Sequence, residues 1–373
     1  MNKVALYLFL LCFALSCNMK QSGHQQDEQL SSDTIRYAKG FAIHHYKDYV
    51  AVDIRDPWDS TKLLQRYLLV ARNKPVPKNL PKGTIVQTPI RNVVVYTSVH
   101  ASIIDQLQET DKIIGVCESR YMSTPSIQKA LQSGKIIDMG ESTSPNIEQM
   151  IDRKTEVVIA SPFHNSSYGP VENLGIPIIE SADYMEPQPL GRTEWIRFYG
   201  MLFGKEKMAD SIFETAEKHY LALKKIVASA TSRPTVFAEK KFGQSWYVPS
   251  GDSYTANLYK DAGANYIFGY LPGSDAVPLT FETVYDKAIH ADLWLIKYNL
   301  SKDMTYKDLQ TEYSPYANFD AFKNHHIFGC NTGNVPYYEE FPLHPDYLLA
   351  DYIWIVHPEL MPNYTPRYYK KLQ

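Results

Sequence analysis

An excess of charge of either sign is missing from this sequence. Its 373 residues carry 38 Lys and Arg against 41 Asp and Glu, a net charge of −3. That balance excludes the strongly basic footprint of a nucleic-acid binder and offers nothing to an anionic membrane surface. Cysteine is scarce as well, with only Cys12, Cys17, Cys117 and Cys330. The first two belong to the leader described below. Cys117 and Cys330 could pair in an oxidising compartment, but they fall in different halves of the chain, so two buried free thiols are expected. Familiar catalytic and metal-binding spacings are also absent: there is no GxSxG nucleophile elbow, no HxxxH and no HxxE.

The stretch Val4 to Leu15 is almost wholly apolar yet too short to span a membrane. With Met1-Asn2-Lys3 before it and small Ser16 ahead of Cys17, residues 1–16 read as an export signal. Residues 17–35 hold little to bury and read as a flexible tether, a coil of roughly 20 to 24 Å.

Core material is plentiful, with 44% hydrophobic residues and 28 Tyr, enough for two domains. The chain is organised around Lys205–Ser229, where Met208, Ile212, Ala216, Tyr220, Leu223 and Val227 recur every three or four residues with no Gly or Pro between them. This spacing predicts a rod of about 37 Å. On either side short apolar runs alternate with helical segments, the pattern of a parallel sheet covered on both faces. The expected class is therefore α/β, with two doubly wound lobes over 91–190 and 233–373 joined by one long rigid helix in a connecting region, 191–232. Ahead of them residues 36–90 predict an N-terminal β extension, with antiparallel strands near 41–46, 49–54 and 64–70 and a Pro-rich run at Lys74–Thr84.

In such sheets ligands bind beyond the carboxyl ends of the strands. Ser98, His100, Ser161, Phe163, His164 and Tyr168 are the candidates on the first lobe, and Trp246, Tyr247, Ser253, Tyr254 and Tyr298 on the second. Tyr184 adds a ring at the cleft edge and Arg192 a partner for ligand carboxylates. For each ring the competing reading is a core contact, and for Arg192 a salt bridge at a helix start. His100, His164 and His344 are candidates for iron ligation, although lone histidines are more often structural. His44 and His45, adjacent on a strand, point to opposite faces and do not readily share a metal.

Ile147–Asp152 precedes the run VVIA, and Phe281–Asp286 precedes LWLI. Both read apolar-Glu-polar-apolar-apolar-Asp, which places Glu148 and Glu282 at matching positions on the two lobes. Each either salt-bridges a partner or sits in a first helical turn, where the dipole favours an anion.

Two α/β lobes, one connecting helix, PNIEQMI before VVIAS and the segment WYVPSGDSYTANLYKDAGA together resemble the helical-backbone substrate-binding proteins of ABC importers for iron complexes and cobalamin. The likeness covers about Asn92–Pro358, and the ALSC ending of the leader resembles a bacterial lipobox. This resemblance implies an exported monomer held at the periplasmic face of a membrane through lipidated Cys17. It implies permease subunits as partners, docked through Glu148 and Glu282, and no cofactor beyond the iron or cobalt of the ligand. An iron complex, ferric siderophore or haem, ranks ahead of cobalamin. A stiff helix allows little opening, so the cleft is expected to be largely preformed. The β extension has no counterpart in that family. Gly251-Asp252-Ser253 also resembles the nucleophile block of one esterase family, but no DxxH follows it, and without a base Ser253 is inert. A helix cap is its expected role.

Overall fold

The computed structural model describes residues 29–164 and 167–373, so the expected signal, Cys17 and tether residues 17–28 lie outside the described residues. The first sheet consists of β1 (Ser31–Ser32), β2 (Phe41–His45), β3 (Val50–Arg55), β4 (Leu63–Ala71) and β5 (Thr84–Thr88), side by side in that order. Neighbours are antiparallel up to β4, and β5 runs parallel to β4. One face carries Phe41, Ile43, Val52, Ile54, Tyr67 and Leu69 into the core of the first lobe. The Tyr67 hydroxyl donates to Ile178 O at 3.0 Å and accepts from the Glu180 N–H at 2.7 Å, which ties the extension to an edge strand of that lobe.

The first lobe holds β6 (Val93–Val95), β7 (Ile113–Val116), β8 (Ile137–Asp138), β9 (Val157–Ala160) and β10 (Ile178–Glu180), with helices α1 (Ser98–Gln106), α2 (Pro125–Gln132) and α3 (Ile147–Asp152) between them. These strands are all parallel in the order β10-β9-β6-β7-β8. Their winding reverses between β6 and β9, where such sheets open a crevice.

Helices α4 (Pro189–Glu194) and α5 (Ile196–Phe203) lead to Gly204, whose φ of +67° is left-handed and stops α5. Then comes α6 (Glu206–Val227), 22 residues and about 33 Å long. Ala209 and Phe213 enter the first lobe's core, while Tyr220, with Leu223 and Val227 at its margin, packs in the second lobe's. One helix thus threads both cores. Its buried stripe is Ala209, Phe213, Ala216, Glu217 and Tyr220, rotated by one residue from the expected line through Met208 and Ile212.

A carboxylate latch explains that rotation. Glu194 accepts the N–H groups of Arg36, Tyr37 and Ala38, and Glu186 accepts those of Lys39 and Gly40 together with Trp195 Nε1. The Tyr37 hydroxyl donates to Glu217 at 2.6 Å and Arg36 pairs with it at 2.8 Å, so a charged residue of α6 is buried with its partners. Gly40 is required here, because a Cβ would stand 2.8 Å from the Trp195 ring.

The second lobe contains β11 (Thr235–Ala238), β12 (Lys241–Phe242), β13 (Ser245–Pro249), α7 (Tyr254–Asp261), β14 (Asn265–Tyr266), β15 (Ala276–Leu279), α8 (Phe281–Ala288), β16 (Leu293–Tyr298), β17 (Ile327–Asn331) and β18 (Tyr369–Lys371). Its main sheet has the order β14-β11-β16-β17-β18, parallel except for β18, and reverses between β11 and β16. A separate antiparallel sheet, β12-β13-β15, forms beside it, because β13 is completed by a partner some 30 residues further on. After β17 a strap crosses back to the first lobe. Leu343 enters the first lobe's core, Ser102 Oγ donates to Glu339 O at 2.7 Å, and Thr193 Oγ1 to Pro342 O at 3.0 Å.

Among the described residues no helix is long and apolar enough to cross a membrane. Cys117 and Cys330 are buried and unbonded, and burial pushes both thiols up to about 12.

Candidate functional site

Each chain reversal opens onto a cavity. The cavity between the lobes measures about 660 Å³ and takes Tyr96, Glu118, Arg120 and Tyr121 from the first lobe, Tyr338 and Glu339 from the second. The other, about 640 Å³, lies in the second lobe at the ends of β11 and β16, against Glu239, Lys241, Tyr247, Tyr254, Lys297 and Tyr298. Asn299 lines both.

Thr97 caps α1, its Oγ1 accepting the His100 N–H at 3.3 Å, so the helix starts at Ser98. Ser98 stays in the inter-lobe cavity. His100 is carried inward, 1% exposed, with Nε2 3.6 Å from Asp183 Oδ1, which corrects its placement at the cleft. Glu118, two residues past β7, has φ +53°, a left-handed backbone uncommon outside glycine and often found at functional sites. Its carboxylate accepts from the Ser142 N–H at 3.2 Å and hydroxyl at 3.1 Å and pairs with Arg120 at 2.8 Å. Burial alone would raise this carboxyl, but the Ser142 bonds and Arg120 leave it below its ordinary value. Across the gap Glu339 accepts from the Ser123 N–H at 3.2 Å and hydroxyl at 2.6 Å, so the strap forms one wall.

Glu239 mirrors Glu118 in the second lobe. It follows β11 directly, has φ +66° and pairs with Lys297 of β16. Burial would lower the Lys297 ammonium, yet Glu239 holds it well above its ordinary value. Strand β13 alternates, so Tyr247 is 44% exposed at the cavity while Trp246 is fully enclosed, its Nε1 donating to Ala238 O at 2.9 Å. Trp246, a candidate for ligand contact in the sequence, is therefore a core residue instead, since adjacent strand residues face opposite ways. Ser253 lines the same cavity but spends its Oγ capping α7, accepting the Ala256 N–H at 3.2 Å. Tyr298 accepts the Met304 N–H at 3.0 Å, and Tyr254 donates to Phe341 O at 3.3 Å.

The remaining candidates line neither cavity. Tyr168 donates to Ser161 O at 3.2 Å and to Glu180 at 3.1 Å, and Tyr184 donates to Pro162 O at 2.6 Å, so these rings fold the segment after β9 onto itself. Phe163 is exposed, and His164 meets the Trp58 ring edge-on. Arg192 is occupied by Asp183 at 3.1 Å, with its guanidinium over Phe341, and so is no receptor for ligand carboxylates. His344 lies in a separate small cavity against α6, and burial lowers its pKa. Glu148 and Glu282 are exposed in the first turns of α3 and α8, behind caps Asn146 and Thr280, with no ion-pair partner among the described residues. Glu118, Arg120, Glu239, Lys297, Asn299 and Glu339 line the two cavities without having stood out in the sequence. For Glu239 and Lys297 the legible mark was a charge closing an apolar run.

Residues 93–332 match the sequence profile of the periplasmic binding protein family. The chain belongs to that family. It is a family of binding proteins rather than enzymes. This periplasmic binding protein is 26% identical to the uncharacterized lipoprotein MJ0878 of Methanocaldococcus jannaschii, over 90% of this chain and 85% of the relative. A periplasmic heme-binding protein from Pseudomonas aeruginosa shares its fold at a TM-score of 0.60 and 14% identity, covering 76% of this chain and 98% of that one. An ABC-type Fe3+-hydroxamate transport system structure from Saccharomonospora viridis superposes at 0.56 with 17% identity, covering 73% and 93%.

Proposed function

We propose that this periplasmic binding protein captures an iron complex between its lobes and hands it to an ABC permease. The observation that carries this reading is the inter-lobe cavity. It lies beyond the carboxyl ends of two parallel sheets, its walls come from both lobes, and its 660 Å³ suits a bulky small molecule. Rings of Tyr96, Tyr121 and Tyr338 offer faces to a chelate. With Arg192 withdrawn, the lining charges are Glu118, Glu339 and Arg120, which suits a neutral ferric siderophore better than haem with its anionic propionates. The names of the two solved relatives support the same ligand class. Glu148 and Glu282 then dock as two separate ion pairs that set orientation on the permease, and Cys17 carries the lipid anchor of a monomer.

Titration of the soluble domain from Ser31 with a ferric trihydroxamate, haemin and cobalamin, by tryptophan quenching and calorimetry, tests the proposal. Saturable binding of the trihydroxamate is expected. Tight binding of cobalamin alone would replace iron complex by corrinoid, and binding of none would overturn the ligand class. Glu148→Lys with Glu282→Lys is expected to abolish uptake by cells while leaving affinity unchanged; unchanged uptake would remove the docking role.

A further inference from the structure

The second-lobe cavity has no part in holding a chelate between the lobes, yet it is nearly as large and differs in character. Its walls are mainly apolar and aromatic, from Tyr247, Pro249, Tyr254, Leu300 and Met304, whereas Thr97, Ser98, Ser123, Ser142 and Thr332 make the inter-lobe cavity the more polar of the two. The divider is built rather than incidental. Asn331, 4% exposed, accepts the N–H groups of Leu300 at 3.1 Å and Gly333 at 3.2 Å and donates to Leu300 O at 2.9 Å and Lys302 O at 3.2 Å. Asn299 rests against Gly333, where a Cβ would lie 2.7 Å from its Oδ1, so this residue is held at the boundary that both cavities share.

Charge gives the second cavity a sign. Three lysines and two glutamates line it. Lys297 is spoken for by Glu239, and Lys240 by Glu312 at 2.5 Å. Lys241 has no carboxylate partner among the described residues, and its ammonium is steadied only by the Tyr313 ring, 4.5 Å from the centroid. One net positive charge thus stands beside aromatic walls, with Tyr247 exposed among them.

The geometry points to a second subsite: this cavity takes an apolar or aromatic arm bearing one acid group, attached to the chelate that sits between the lobes and passing Asn299. The inference rests on the proposed function for the chelate, but the subsite is tested apart from it. The full soluble domain is titrated with 1-anilinonaphthalene-8-sulfonate, and separately with an arm-free ferric trihydroxamate and the same chelate carrying an aryl carboxylate. The naphthalene sulfonate is expected to bind one to one. Ala276→Trp, which sets an indole among the cavity's lining, and Lys241→Glu should each weaken it at least about tenfold, and the arm should strengthen chelate binding only in the native protein. Arm-free chelate should bind native protein and both variants equally. Naphthalene sulfonate binding that neither variant alters, or no saturable binding, overturns the subsite. If the sulfonate behaves as expected but no chelate binds, the subsite stands and the iron-complex reading falls.

Discussion

Asp183 concentrates the chemistry that sequence reading assigned elsewhere. It receives Arg192 at 3.1 Å, stands 3.6 Å from His100 and accepts from Ser181 Oγ at 3.0 Å. Burial would raise its carboxyl, but Arg192 and then His100 and Ser181 bring it below the ordinary 3.8. A depressed carboxyl contributes stability above its unfolded pKa and loses it as pH falls through the folded one. Asp183→Asn should therefore cost about 3–5 kcal/mol at neutral pH, and its deficit against the native protein should shrink below pH 3.8 in urea titrations. A deficit independent of pH would remove the charge from the account. The local sequence showed that His100 and Trp246 stand near strand ends; it did not show which way they turn. That depends on α1 starting at Ser98 and on the phase of β13, each decided by one or two residues of register.

Along α6 the period of the helix was readable, because apolar spacing is a local property. The face it buries was not, because Glu217 is covered by Tyr37 and Arg36, 180 residues earlier in the case of Tyr37. The same holds for Glu194, which gathers three successive backbone amides from residues more than 150 positions away. Glu194→Gln should weaken these charge-assisted bonds, costing about 1.5–3 kcal/mol, and open residues 33–45 to limited proteolysis. An unchanged cleavage pattern would show that the latch does not hold the segment.

Across the whole molecule, two lobes and a rigid link were legible from alternating patterns, while the strand orders, the β12-β13-β15 sheet and the strap were not, since each depends on pairing between distant segments. Lobes joined by both α6 and the Glu339–Leu343 strap have little freedom to separate. Small-angle scattering of free and ligand-bound protein should give nearly superimposable curves, with backbone shifts on the order of 1 Å. A clear contraction on binding would mean that the strap yields and the cleft is not preformed.

The carboxylate latch also sets an order of events. Residues 36–40 leave the ribosome early, yet the Glu186 and Glu194 that receive them follow 147 and 158 positions later for Lys39 and Arg36. Closing so long a loop is slow. This early segment thus cannot settle until about half of the chain, as far as Glu194, has been synthesised.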